Sequence, residues 1–326
     1  VSLMKIELLK CHGSNNDFVL IDDLQHTYQF SEEDRVSIAK TLCDREGLVG
    51  GDGILFVEQT EVADARMRMF NPDGSEAEMC GNGLRCVARY ASEQFNKTQL
   101  VIETKEANLT VEQKGDIFEN IPSFEVAIEP VSLEPASLPL KTDEEEHIDQ
   151  NIPALSEDLK FSAVSVPNPH LIAMVDQVDD EQLSAIGKEA NGNKTLLPNG
   201  VNVSFVQNLG DQKVFVRTYE RGVGLTNACG TAMSASSLNT VLLNYNQPDE
   251  EIFVFNRGGF VICVVHVEDG EYRIKLRGNA TYEYKTTVRL TENKVEELTE
   301  RETFETEAKA YEALQAYASQ EIERYQ

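Results

Sequence analysis

Two cysteines in this chain stand where a thiol could do chemistry. In NACGTAMSAS (227–236), Cys229 precedes Gly230, Thr231 and a run of small residues that reads as the opening of a helix. In EMCGNGLRCVARY (78–90), Cys80 precedes Gly81, Asn82 and Gly83 in the same way. A thiol at a helix start lies in the field of the first-turn N–H groups, which lowers its pKa from a free value of about 8.5. The glycine beside it lets a ligand approach those N–H groups. For one such cysteine alone, a small buried turn residue is the ordinary explanation. Two copies, each with Cys-Gly at a helix start, point instead to a joint catalytic role. Cys11, Cys43, Cys86 and Cys263 lack this setting and read as structural.

The two segments belong to a longer repeat. At the offset that separates Cys80 from Cys229, Arg68 matches Arg217 and Phe70 matches Tyr219, and GDGILFV (51–57) aligns without a gap to GVNVSFV (200–206). Two domains of one ancestral fold are the simplest account. Leu84, Val87, Ala88, Ala91 and Phe95 recur at helical spacing, with Arg85, Arg89 and Ser92 off that stripe, so an amphipathic helix follows Cys80. The helix after Gly230 is rich in small residues, as suits close packing by sheet. Short β-rich runs surround both: 18–22, 54–58, 100–104, 253–267 and 272–278. The expected fold is α+β, with two pseudo-symmetric domains, each a curved, barrel-like mixed sheet around a central helix. The expected domains are 1–127, completed by a segment near 283–291 with a helical tail to 326, and 128–282. Residues 140–160 read as an exposed acidic loop, and the tail beyond Thr291 as one or two surface helices without chemistry.

Composition narrows the function. Fifty-six acidic against 29 basic residues give a net charge of -27, a field that repels nucleic acid and anionic membranes, so neither is an expected partner. An anionic small molecule would need a local site such as a helix N-terminus or an arginine. No stretch reads as a membrane span or a signal peptide, and the six cysteines show no CxxC or disulfide pattern, so a cytoplasmic location is expected. The five histidines have no metal-ligand spacing, and no metal or cofactor is expected.

Two matching domains, each presenting a thiol, suit stereoinversion of a small molecule. One thiolate removes a proton from one face of a carbon, and a thiol returns a proton to the other. Helix N-termini can hold the adjacent carboxylate and spread the charge that develops. Two other classes stay open at this point: a thiol redox protein in which Cys80 and Cys229 form a switchable disulfide, and a cysteine hydrolase with His170 as base.

FNPDGSEAEMCGNGLRCVARY and YERGVGLTNACGTAMSAS resemble the two signature segments of the diaminopimelate epimerase family. HGSNNDF near the start, SVPNPH at 165–170 and GVNVSF at 200–205 extend the resemblance, in the family's order, over about residues 4–290. It implies a cofactor-independent isomerase that converts LL-diaminopimelate to the meso form, and it leaves a homodimer open. Carried onto matching positions, it makes Cys80 and Cys229 the acid/base pair. The amides of Gly81, Asn82, Gly230 and Thr231 would hold the reacting carboxylate, with Asn16 and Glu220 at the same end. Asn71, Asn168, Asn202 and Arg221 would hold the distal end of the substrate. The chain departs from the family at Leu225, often glutamate, and at Gly53, often glutamine. Racemases of other amino acids share the fold and the cysteine pair, so substrate range stays open.

Overall fold

The computed structural model describes residues 3–292 and 294–326. It is α+β and divides into two compact units, Val1–Val126 with Gly278–Ala313, and Ala127–Arg277 with Leu314–Gln326. In chain order the first unit holds β1 (Met4–Gly13), β2 (Asn16–Asp23), α1 (Glu32–Leu42), β3 (Gly53–Glu58), β4 (Ala65–Phe70), α2 (Gly81–Phe95), β5 (Gln99–Glu103), β6 (Asn108–Phe118) and most of β7 (Ile121–Ile128). The second holds β8 (Gln150–Asn151), β9 (Lys160–Ser165), β10 (Pro169–Val175), α3 (Asp180–Gly192), β11 (Asn202–Gly210), β12 (Lys213–Glu220), β13 (Gly224–Thr226), α4 (Gly230–Leu242), β14 (Ile252–Asn256), β15 (Gly259–Glu268) and most of β16 (Glu271–Asn279). Then come β17 (Thr281–Thr291), β18 (Lys294–Glu297), β19 (Glu302–Thr303) and α5 (Glu305–Arg324).

The strands of the two units follow one pairing scheme. β1 runs antiparallel to β2, β2 parallel to β3, β3 antiparallel to β4, β4 parallel to β5, and β5 antiparallel to β6. In the second unit β9 runs antiparallel to β10, β10 parallel to β11, β11 antiparallel to β12, β12 parallel to β14, and β14 antiparallel to β15. Each parallel step needs a crossover, which brings a helix onto a face of the sheet. α2 packs against β1 through β6, and α4 against β9, β10, β11, β12, β14 and β15, so in each unit the strands surround one central helix. The outer faces are apolar as well. Ile6, Val19, Ile54 and Phe56 pack there with Ile38 and Leu42 of α1, while Phe161, Leu171 and Phe205 pack with Leu183 and Ile186 of α3.

Being central, α2 has little polar face. Arg85, off the apolar stripe, is fully buried and Ser92 nearly so, whereas Phe95, on the stripe, is 40% exposed. The stripe runs out at Phe95 because the helix ends there, at Asn96 in the left-handed region. α4 is buried over nearly its whole length, which its small residues permit.

Two other segments depart from expectation. Within 140–160, Leu140, Ile152 and Leu155 are core residues, and His147 is buried between Glu144 Oε2 (2.8 Å) and the Gln150 carbonyl (3.2 Å). Acidic residues 143–146 stay exposed; sparse apolar residues with no period gave no sign that this loop is anchored. The tail is β18, β19 and the single helix α5, which buries Tyr311, Leu314, Ala318 and Ile322 at helical spacing. Residues of α5 through Ala313 belong to the first unit and the rest to the second. Glu307 binds Arg89 and Tyr311 lies edge-on to His12 in the first unit, while Tyr317 packs on Phe255 and Phe260 in the second. Among the described residues no helix is long and apolar enough to cross a membrane.

Candidate active site

Helix starts set the geometry. The first four N–H groups of a helix have no intrahelical acceptor and carry the positive end of its dipole. α1 answers this with Ser31 as N-cap, a reciprocal bond from Asp34, and acids in its first turn; α3 does so with Asp179 and the acids after it. α5 also begins with acids, Glu305 and Glu307. α2 and α4 are the exceptions. Their N-caps are Cys80 and Cys229, sulfur being a weak acceptor, and neither first turn contains an acid. Stability alone would favour Ser or Asp at such a cap by ~1 kcal/mol. These two helix ends are left suited to an external anion.

In the first unit, Cys80 Sγ accepts the Gly83 N–H at 3.3 Å and lies 3.8 Å from Asn16 Oδ1. Asn82 Nδ2 donates to the same Asn16 oxygen at 3.1 Å, and Asn82 Oδ1 is buried without a hydrogen-bond partner. Gly83 lets β3 come close to the helix start, since a Cβ there would lie 2.9 Å from Leu55 Cδ2 and in contact with the sulfur at 3.5 Å. Asn16 begins β2 at the end of the HGSN turn. Arg85 holds that turn by donating to Ser14 Oγ and to the carbonyl of Asn279, whose Oδ1 accepts the Ser14 N–H. A buried guanidinium is tolerable only with such bonds. Asn71 lies apart from this group in its contacts, its amide donating to Ser75 Oγ in the turn after β4.

Behind Asn16 stands a charged cluster that sequence reasoning missed. Asn16 Nδ2 donates to Asp52 Oδ2 at 2.8 Å, and Arg45 joins Asp52 at 2.8 Å to Asp17 at 2.6 and 2.8 Å. Lys10 reaches Asp17 at 2.6 Å. Burial disfavours charge on Asp17, but the hydrogen bonds and charges of Arg45 and Lys10 outweigh it and hold its carboxyl well below the usual range. Burial and then the neighbouring Asp17 raise Asp52. Scattered single charges at positions 10, 17, 45 and 52 carry no motif, so only the fold reveals the cluster.

In the second unit, Cys229 Sγ lies 3.5 Å from Thr231 Oγ1. Asn168 Nδ2 donates to that hydroxyl oxygen at 3.0 Å, and His170 Nε2 lies 3.2 Å from it and 3.3 Å from Asn168 Oδ1. Asn168 Oδ1 can only accept, so His170 carries its proton on Nε2 and Thr231 keeps its own O–H for the sulfur. Burial, and then the charge of Arg221, lower the His170 pKa to about 3, so the ring is neutral. This places His170 as a support of the asparagine and threonine rather than as a hydrolase base. Asn202 Oδ1 accepts the Arg221 N–H at 2.8 Å, and Arg221 Nη1 donates to the Asn199 carbonyl at 3.0 Å. Gly200, at φ +75°, passes so close to Arg221 that a Cβ would meet Cδ at 2.9 Å. Glu220 ends β12 opposite Gly224.

The two halves match further than sequence alignment shows. Phe18 pairs with Gly53 and His170 with Asn202 in equivalent parallel ladders, which makes Asn168 the counterpart of Asn16 and Asn202 that of Gly53. Each asparagine holds the second helix residue, Asn82 or Thr231. The offset from Asn16 to Asn168 is not the one between the cysteines, which hid the match. Of the two departures, Leu225 packs against the core cluster of its unit, and a Cβ at Gly53 would meet Met69 Cε and the Phe70 carbonyl at 3.0 Å. Among the described residues no cluster of His, Cys, Asp and Glu could hold a metal ion.

The family model for diaminopimelate epimerase matches residues 8–121 and 162–283. The chain is 45% identical over 311 residues to a diaminopimelate epimerase of Clostridium acetobutylicum, covering 95% of this chain and 93% of that protein. It is 50% identical over 285 residues to one of Ligilactobacillus salivarius, covering 85% and 88%. Among solved structures, a Bacillus anthracis phenazine biosynthesis protein of the PhzF family matches with TM-score 0.63 at 19% identity, covering 87% of this chain and 99% of that one. A hydroxyproline epimerase from Agrobacterium vitis matches with TM-score 0.61 at 15% identity, covering 88% and 93%. These two likenesses show the fold.

Proposed function

The chain belongs to the diaminopimelate epimerase family, and from that premise we propose that Cys80 and Cys229 are the acid and base that invert one α-carbon of diaminopimelate. The enzyme is an isomerase whose reaction joins the LL and meso forms, in the route to lysine and peptidoglycan. One thiolate takes the α-proton, and the electron pair left on Cα delocalises into the carboxylate. The other thiol returns a proton to the opposite face, so the product has inverted configuration and the sulfurs have exchanged protonation states. The observation that carries this is the pair of equivalent helices, α2 and α4, each capped by cysteine and each free of acids in its first turn.

The first-turn amides of Gly81, Asn82, Gly230 and Thr231 receive the carboxylate charge, each such donor being worth roughly 3 kcal/mol in the transition state. Asn82 Oδ1, a buried acceptor without a partner, suits the substrate's α-ammonium. Asn16 and Glu220 serve the same end. Arg221 offers a planar fork to the distal carboxylate, held in place through Asn199 and Asn202, with Asn71 and Asn168 completing that end.

The test is proton NMR of diaminopimelate in deuterated water. Wild type exchanges Cα–H for deuterium while interconverting LL and meso forms, and Cys80→Ala and Cys229→Ala, still folded, interconvert neither. Near wild-type turnover in either variant removes that cysteine from the mechanism.

A further inference from the structure

Asn16 and Asn168 are equivalent in fold but present opposite ends of their amides to the helix each one holds. Asn168 turns Nδ2 toward Thr231 of α4, whereas Asn16 turns Oδ1 toward Asn82 and Cys80 of α2. The difference has a cause in the first unit. Asp52 is an acceptor only, and its Oδ2, 2.8 Å from Asn16 Nδ2, claims the donor end of that amide. The same Oδ2 accepts the Asp17 N–H at 3.1 Å, and Arg45 Nη2 bridges Asp52 Oδ1 at 2.8 Å and Asp17 Oδ1 at 2.6 Å. Without the guanidinium two carboxylates would face each other, and the cheapest relief is rotation of the more exposed one, Asp52. The equivalent of Asp52 in the second unit is Val201, and Asn168 there is oriented by His170 instead.

We infer that Arg45 and Asp52 are positioning residues that lock the Asn16 amide with its oxygen toward Cys80, so that Cys80 S–H has a fixed acceptor when it serves as the acid. The inference rests on Cys80 being one of the two acid/base thiols. An amide oxygen beside the sulfur favours the thiol, and an amide N–H there favours the thiolate. The other charged groups lining the space at Cys80 are Arg66, Arg68, Glu76, Glu78 and Lys105, none of which is altered by the test below.

Asp52→Asn can accept or donate toward Asn16 and so frees it to turn over. kcat should fall roughly 10- to 100-fold with little change in KM. The pH midpoint for alkylation of Cys80 by iodoacetamide, read peptide by peptide in a mass spectrometer, should move down. Arg45→Gln should shift both quantities in the same direction, and it decides the matter if Asp52→Asn fails to fold, since the Arg45 side chain is 56% exposed. Arg45→Lys, which keeps the cation, should restore most of the activity. Wild-type kcat in Asp52→Asn or Arg45→Gln, or reduced kcat with an unmoved Cys80 midpoint, overturns the inference while leaving the role of Cys80 intact. Full turnover by Cys80→Ala would instead remove the reading on which it rests.

Discussion

At the scale of single residues, the candidate site is built from groups that are weak by themselves and strong in place. A cysteine is a poor cap, but at an acid-free helix end its sulfur shares the position with N–H groups suited to a carboxylate. Replacing Cys80 or Cys229 by alanine should therefore leave the far-ultraviolet circular dichroism unchanged and lower turnover of diaminopimelate by at least about a thousandfold. On the proposed reading Arg221 has a different task, because a second carboxylate needs two parallel donors. Arg221→Lys keeps the charge and loses the fork, and kcat/KM for diaminopimelate should drop roughly 10- to 100-fold. Lysine, which lacks the distal carboxylate, should be a poor substrate from the start. Equal turnover of lysine and diaminopimelate by the wild type, or indifference to Arg221→Lys, would assign the site to a broader racemase.

At the scale of elements, what matters is how closely helix and sheet approach. Gly187 lies inside α3, where alanine would ordinarily be the better helix former by about 1 kcal/mol. Here an added Cβ would fall 2.3 Å from Tyr219 Cγ and 2.4 Å from Cδ1, because the tyrosine side chain packs directly on the glycine. Gly187→Ala should thus destabilise the protein by roughly 1–3 kcal/mol in a urea titration. It should also raise KM, since Tyr219 leads directly into Glu220 and Arg221; a more stable variant would show that the ring moves freely. The symmetry of the two units explains a second clamp. Arg68 bonds Glu32, the first residue of α1, and Arg217 bonds Asp180, the first residue of α3. The match of Arg68 with Arg217 is visible in the sequence; the shared task of tying a strand to the start of the outer helix is not.

At the scale of the whole molecule, two of the buried histidines, His12 and His170, make stability depend on pH. His12 is buried against Tyr311, and its Nδ1 accepts the Asn15 N–H at 3.0 Å, so it must be neutral. Burial lowers its pKa from 6.5 to about 4, and His170 goes from 6.5 to about 3 by burial and then Arg221. Between these values and 6.5 the unfolded chain binds more protons than the folded one, so stability rises with pH across that window and is lost as pH falls from 6.5. Each histidine contributes about 1.4 kcal/mol per pH unit within it. Urea midpoints at pH 7 and pH 5 should differ accordingly in wild type, and the difference should shrink in His12→Gln; an equal difference in both would place the acid sensitivity elsewhere.

The chain determines by itself the α+β class, the doubled domain plan, the two cysteines at helix starts and the family. Each is written in local pattern: period, turn glycines, and motifs in register. Only the tertiary structure decided what stands around those motifs. Arg85 reads as polar surface until six strands close around α2, and Phe95 reads as core until the helix ends. The anchored loop at 140–160 and the buried stripe of α5 depend on partners far away in sequence. The cluster of Lys10, Asp17, Arg45 and Asp52 behind Asn16 consists of charges on separate elements, and no spacing rule links them. The equivalence of Asn16 and Asn168 was hidden by a change of offset between strand and helix. Local sequence specifies the period and the cap of an element, whereas burial and hydrogen-bond partners are set by which elements the folded sheet brings together.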